Sequence, residues 1–191
     1  SERVGVMSNG LCAVLGASTD EQISRMVGNF PLYPYGAAVL YPSIPDDFAY
    51  HNKSIWPVWQ TPYMYAARQV GNISAVEHMA ASLTRASALF LTHKENMTYD
   101  TGYDRGTALN SDRQLWSVSS YISLVYRVLF GMNLTERGIA FNPVVPDMVN
   151  GWLSLSDFRY RDATIDIKVF GRGNRVKSLK VNGEKQALPF V

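Results

Sequence analysis

The chain has 191 residues, 47% apolar and 18% charged, a balance that supports a packed core and excludes an intrinsically disordered chain. Its formal net charge of +2, with no basic run, argues against nucleic acid as a partner. The single cysteine, Cys12, excludes an intramolecular disulfide framework and a cysteine-based zinc site, and no apolar run approaches the ~20 residues that span a bilayer.

From the N-terminus, the apolar stretch Gly10-Leu11-Cys12-Ala13-Val14-Leu15 reads as a short helix ending before Gly16, with Cys12 as a small buried hydrophobe. Asp20 to Gly28 is a second short helix. Residues from about Ile55 to Val70 form a third, with Pro57 tolerated in its first turn and Pro62 expected to kink it or delay its start. From Asn72 to His93, Val76, Met79, Ala80, Leu83, Ala86 and Phe90 fall on one face. From Asp112 to Gly131, the residues Leu115, Val118, Ile122, Val125 and Leu129 form one stripe; Ser111 can cap its start and Gly131 can end it.

Near residue 137 the period shifts towards two. Ile165, Ile167 and Val169 alternate with polar residues as in a half-buried strand, followed by a turn at Gly171 to Asn174. Val176 to Val181 is another strand, and Asn182-Gly183 is a strong hairpin signal. The boundary divides the chain into a helical part, 1–136, and a β-strand part, 137–191. Between the helices lie two long aromatic-rich loops, Phe30 to Ser54 and His93 to Asn110. Loops of this length that are not disordered are usually functional. The chain has 11 Tyr, 8 Phe and 4 Trp. Aromatics in loops form either a packed layer or platforms on which the apolar face of a pyranose lies flat.

The first loop ends in Tyr50-His51-Asn52-Lys53-Ser54-Ile55-Trp56-Pro57-Val58-Trp59, and the second begins Lys94-Glu95-Asn96 with Thr101-Gly102 beyond. A Tyr-His-Asn element leading into Trp-Pro, then a Glu-Asn element with a Thr-Gly, resembles the C-terminal half of six-hairpin, (α/α)6-barrel glycosidases. The nearest groups are those of the processing α-glucosidase I and the mannosylglycerate hydrolases. The passage from Phe130-Gly131-Met132 to Phe141-Asn142-Pro143 resembles the barrel's exit into its C-terminal strands.

The resemblance implies a mainly α fold: the C-terminal portion of an (α/α)6 barrel built from α/α hairpins, followed by a small β-strand domain. It implies inverting hydrolysis of an O-glycosidic bond in an oligo- or polysaccharide, with Glu95 as the general base that activates water. The residue-level alternative for Glu95 is a surface ion pair with Lys94 or Arg105. Inversion needs a second carboxyl ~6.5–9.5 Å away; Asp46, Asp47, Asp100, Asp104 and Asp112 are available, but none matches the acid's motif. Asp112 reads instead as a capping and salt-bridging residue.

His51, Asn52, Trp56, Trp59, Asn110, Arg113 and Gln114 are the expected sugar-binding residues, each with a packing or loop-closing alternative. No metal and no cofactor are expected, since the three His form no ligand pair. The expected partners are a carbohydrate and the N-terminal part of the barrel, with no nucleic acid and no membrane, in an extracytoplasmic (periplasmic or secreted) setting. A non-catalytic carbohydrate-binding or scaffold piece and a disaccharide phosphorylase are the alternatives. The sequons at Asn52, Asn72, Asn96 and Asn133 read as chance, because two lie inside the motifs.

Overall fold

The computed structural model describes residues 2–187. In chain order the helices are α1 (Val6–Val14), α2 (Asp20–Asn29), α3 (Pro57–Gln69), α4 (Ile73–Phe90) and α5 (Leu115–Ser123), the last continuing as a π-helical segment, Leu124–Leu129. The strands up to the second long loop are β1 (Val4–Gly5), β2 (Leu32–Tyr33), β3 (Gly36–Ala37), β4 (Leu40–Tyr41), β5 (Ser54–Ile55) and β6 (Met97–Thr98). The remainder are β7 (Met132–Leu134), β8 (Ile139–Phe141), β9 (Trp152–Tyr160), β10 (Ala163–Phe170), β11 (Leu179–Val181) and β12 (Glu184–Gln186).

This corrects the expected fold class. Five α-helices and twelve short strands, all in two-stranded sheets among the described residues, are a mixed architecture rather than plainly a portion of a mainly α barrel. Seven of the twelve strands lie within residues 1–136. Six of these are two residues long and β7 three, too short to leave a period-two signature in the sequence. No helix among the described residues is long and apolar enough to cross a membrane.

Helix α3 is the hub, packing against α1, α2, α4, α5 and the π segment. It runs through Pro62, whose backbone lies so close to α1 that a Cβ on Gly10 would sit 2.5 Å from Pro62 and Tyr63 main-chain atoms. Glycine at position 10 is what allows the two helices to approach. Cys12, expected to be buried, is exposed, because α1 turns Val6, Gly10 and Ala13 inward. The core gathers Ile23, Val27, Tyr63, Met64, Val76, Met79 and Leu83, all buried. Burial pushes the Tyr63 phenol up to about 12, and its hydroxyl donates to the Val27 carbonyl at 2.8 Å. Thr19 and Gln22 form a reciprocal capping box at the start of α2, and the Asn72 side chain caps α4.

The helix expected from Asp112 begins at Leu115, and its N-cap, Gln114, makes no side-chain cap; the Ser111 hydroxyl is used elsewhere. Gly131 ends the helical run with φ +63, pressed against the Asn142–Pro143 backbone at 2.1 Å from where a Cβ would sit. The expected strand through Ile165, Ile167 and Val169 is β10, and it is paired with a second long strand, β9, that directly precedes it. Arg161, at φ +54, turns the chain back, so β9 and β10 form an antiparallel ribbon pairing Ala163 with Tyr160 and Phe170 with Trp152. One face of this ribbon packs with Phe130, Met132, Ile139 and the π segment in a second cluster. The β11–β12 hairpin turns at Asn182-Gly183, both in left-handed conformations.

Candidate functional site

The two long loops meet. β5, closing the first, pairs with β6 of the second through Ser54 opposite Thr98 and Ile55 opposite Met97. Further along, the Ala108 N–H donates to the Ala49 carbonyl at 2.8 Å and the Tyr99 N–H to Lys53 at 3.1 Å. Helices α3 and α4 lie between the loops in sequence, and their antiparallel course returns the chain to the same end.

Glu95 sits at this junction, 8% exposed. Tyr50 donates its hydroxyl to one carboxylate oxygen at 3.1 Å, and Ser111 donates to the other at 3.1 Å. The Glu95 N–H in turn donates to the Ser111 carbonyl at 2.9 Å, so one residue fixes both the backbone and the side chain. The surface ion-pair alternative fails on geometry: Lys94 turns to Asp104 at 2.7 Å and Asp112 at 2.5 Å, and no salt bridge among the described residues reaches Glu95. These two aspartates hold the Lys94 ammonium above its ordinary range. Asp112 therefore salt-bridges Lys94 rather than capping α5.

Tyr50 carries the site into the aromatic cluster. Its own phenol is raised, by burial first and then by its hydrogen bond to Glu95 and that group's charge. Its carbonyl accepts from the Trp56 indole N–H at 2.7 Å and from the Ser54 hydroxyl. Trp56, 1% exposed, touches four rings: Tyr50 at 5.0 Å, His51 at 5.0 Å, Trp59 at 5.8 Å and Trp116 at 5.6 Å between centroids. His51, itself exposed, lies flat on Trp59 at 5.2 Å with an interplanar angle of 18°.

Of the residues expected to bind sugar, Trp56, His51 and Trp59 gather in this one cluster beside Glu95. Trp56 is its buried floor rather than an open wall. Asn110 instead closes the second loop, its amide nitrogen donating to the Asn96 carbonyl at 2.8 Å and the Asp104 carbonyl at 3.1 Å, while its buried amide oxygen has no partner among the described residues. Asn52 stands apart. It is 2% exposed and clamps the Ile44 backbone through both N–H and carbonyl, which closes the first loop. Arg113, at φ +56, lines a groove with Leu91, His93, Leu115 and Val118 instead of facing the carboxylate. Gln114 is half-buried, and its N–H bonds the His93 carbonyl at 2.9 Å.

Three residues were not among the expected site residues: Tyr50, named only as part of the Tyr-His-Asn element, Ser111, read as a helix cap, and Trp116. Nothing in spacing shows that hydroxyls 45 and 16 positions from Glu95 converge on it. No group of three or more His, Cys, Asp or Glu able to hold a metal occurs among the described residues. No protein-family model and no curated protein matches the chain.

Proposed function

We propose that the Glu95 site belongs to a glycoside hydrolase that cleaves an O-glycosidic bond with inversion, Glu95 acting as general base toward water. The observation that carries this reading is the carboxylate itself: buried, held at both oxygens by neutral hydroxyls, and without an ion pair among the described residues. A carboxylate clamped by two hydroxyls at the meeting of two loops is held in one orientation. Held at the mouth of an aromatic cluster, it can take a proton from water beside a sugar ring stacked on those aromatics.

Two neutral hydroxyl donors suit a base that must cycle between charged and protonated forms, because neither donor is lost when the carboxyl gains its proton. Lys94, the cation adjacent in sequence, is committed to Asp104 and Asp112. That favours water over phosphate as the attacking group, since a phosphate would need convergent free donors. The substrate is a carbohydrate, and the His51 and Trp59 rings, packed on Trp56 beside Tyr50, supply the aromatic surface for it.

The reading is tested by Glu95→Gln. The amide keeps the size; its oxygen accepts from one of the two hydroxyls while its NH2 donates to the oxygen of the other, so folding is retained while turnover falls by a factor on the order of 10² or more. The assay follows glycoside hydrolysis by NMR, which also shows whether the first product has the inverted anomeric configuration. Near-normal turnover in the variant would remove Glu95 from the reaction.

A further inference from the structure

The two hydroxyls on the Glu95 carboxylate are not equivalent. Ser111 is tied to Glu95 twice, its hydroxyl on one carboxylate oxygen and its carbonyl on the Glu95 N–H at 2.9 Å. Loss of its hydroxyl would leave the backbone tie in place. Tyr50 arrives from the other loop. Among the described residues its side chain makes a single hydrogen bond, from the hydroxyl to the other Glu95 oxygen at 3.1 Å.

That hydroxyl is aimed by a frame that does not depend on the bond it makes. The Tyr50 N–H donates to the Asn52 carbonyl at 2.9 Å, and the Tyr50 carbonyl accepts from the Trp56 indole N–H at 2.7 Å and from the Ser54 hydroxyl. The ring packs on His51 at 4.5 Å and on Trp56 at 5.0 Å between centroids. With main chain and ring already fixed, presenting the hydroxyl costs little further rotamer freedom.

A donor on a charged carboxylate favours the charged form, which is the form able to take a proton from water. The Tyr50 phenol is raised, by burial first and then by its bond to Glu95 and that group's charge, so its proton stays on the tyrosine while the carboxylate is charged. A carboxylate offers about four acceptor positions. Tyr50 and Ser111 take one on each oxygen, and each oxygen keeps another for water.

We propose that Tyr50 is the positioning residue of the base: acting wholly through Glu95, it fixes the carboxylate beside the aromatic surface and favours its charged form. The proposal rests on the reading of Glu95 as general base.

The experiment is a double-mutant cycle of Tyr50→Phe and Glu95→Gln, with glycoside hydrolysis followed across pH. Tyr50→Phe keeps the ring and the main-chain bonds and removes one oxygen. It should lower kcat about tenfold, the rate equivalent of one hydrogen bond to a charged group, with KM within about threefold. The loss should deepen as pH falls, because removing a donor from the charged form moves the acid limb of the profile to higher pH. A smaller folded fraction would scale the profile without moving it. His51, the titratable ring packed on Tyr50, and Lys94 with its two aspartates are common to both proteins and do not produce the displacement. In the Glu95→Gln background, Tyr50→Phe should cost less than about twofold, since the carboxylate it serves is gone. If Tyr50→Phe does not fold, NMR of isotope-labelled tyrosine gives a second test: Glu95→Gln should move the Tyr50 titration to lower pH, because the neighbouring charge is lost. An unchanged kcat, a scaled but unmoved profile, a full tenfold loss in the Glu95→Gln background, or an unmoved Tyr50 titration would each overturn the proposal. Failure of the parent reading is seen separately: near-normal turnover in Glu95→Gln removes the base itself, whereas an inactive Glu95→Gln beside a normal Tyr50→Phe removes the role of Tyr50 alone.

Discussion

Helices α4 and α5 carry similar apolar stripes and use them in opposite ways. In α4 the stripe is the core face: Val76, Met79, Ala80, Leu83 and Ala86 are all buried. In α5 the buried residues are Ser117 and Ser120, while Leu115 is 80% and Ile122 51% exposed. A helical period shows that a segment is amphipathic but not which face meets the protein. The difference follows from what each helix has to hold. Helix α4 packs on α3 through side-chain volume. Helix α5 lies close against α3 through small residues, the Thr61 hydroxyl donating to Ser120 at 3.0 Å, and it uses Ser117 to pin the Lys94 carbonyl beside Glu95. Inward hydroxyls are affordable there because each finds a partner within the helix or the adjoining loop. The polar inward face thus marks the part of the structure that serves the site.

The sharpest test of the comparison is truncation in α4. Leu83 is 1% exposed within the main cluster, so Leu83→Ala should destabilise the protein by about 2–5 kcal/mol through lost burial and the cavity left behind. Chemical denaturation would show this as a lowered midpoint at unchanged slope. A loss below ~1 kcal/mol would mean that α4 collapses freely and that its stripe is no better packed than that of α5.

Overfilling the small-residue face gives the next largest effect. Ser120 is fully buried against Thr61. Ser120→Leu should cost about 1–3 kcal/mol, because a larger side chain must force α5 away from α3. If the variant is instead as stable as the parent, the interface has room to spare, and α5 could rotate its apolar stripe inward.

Helix positions along the chain were legible because the apolar period and the stops are local: the stripe of Val76, Met79, Ala80 and Leu83 marks α4, and Gly131 adopts the left-handed conformation expected at a helix end. The Asn182-Gly183 hairpin was legible for the same reason. The mixed architecture was not, since a two-residue ladder such as Ser54–Thr98 depends on partners far away in sequence. At the site, the motif residues Glu95, His51 and Trp56 could be nominated one by one. Their arrangement could not: Tyr50 and Ser111 are defined as carboxylate clamps only by the meeting of two loops. Ser111 illustrates the difficulty, since serine before a helical stripe is a good capping signal and here its hydroxyl is drawn to Glu95 instead. The π segment adds a second long-range decision. Its Phe130 N–H reaches back to the Val125 carbonyl, and Leu124 and Val128 become the buried pair while Val125 and Leu129 stay only half-buried.

The smallest expected effect is at the exposed stripe, and its smallness is the point. Leu115 and Ile122 lie on the solvent face of α5, where a polar side chain neither opens a cavity nor strands a buried group. The double variant Leu115→Gln, Ile122→Gln should therefore unfold within about 0.5 kcal/mol of the parent. It should also bind less of a hydrophobic fluorescent dye, because Leu115 belongs to the open groove with Leu91 and Val118. The two readouts separate explanations that stability alone would merge. If the stripe were buried in solution, by self-association or by rotation of α5, the substitutions would remove burial and cost about 1.5–3 kcal/mol per side chain. Dye binding would then start low and fail to fall. A loss of that size would reverse the contrast between the two helices and place Ser117, and with it the Lys94–Glu95 backbone, on a face that no longer holds the site.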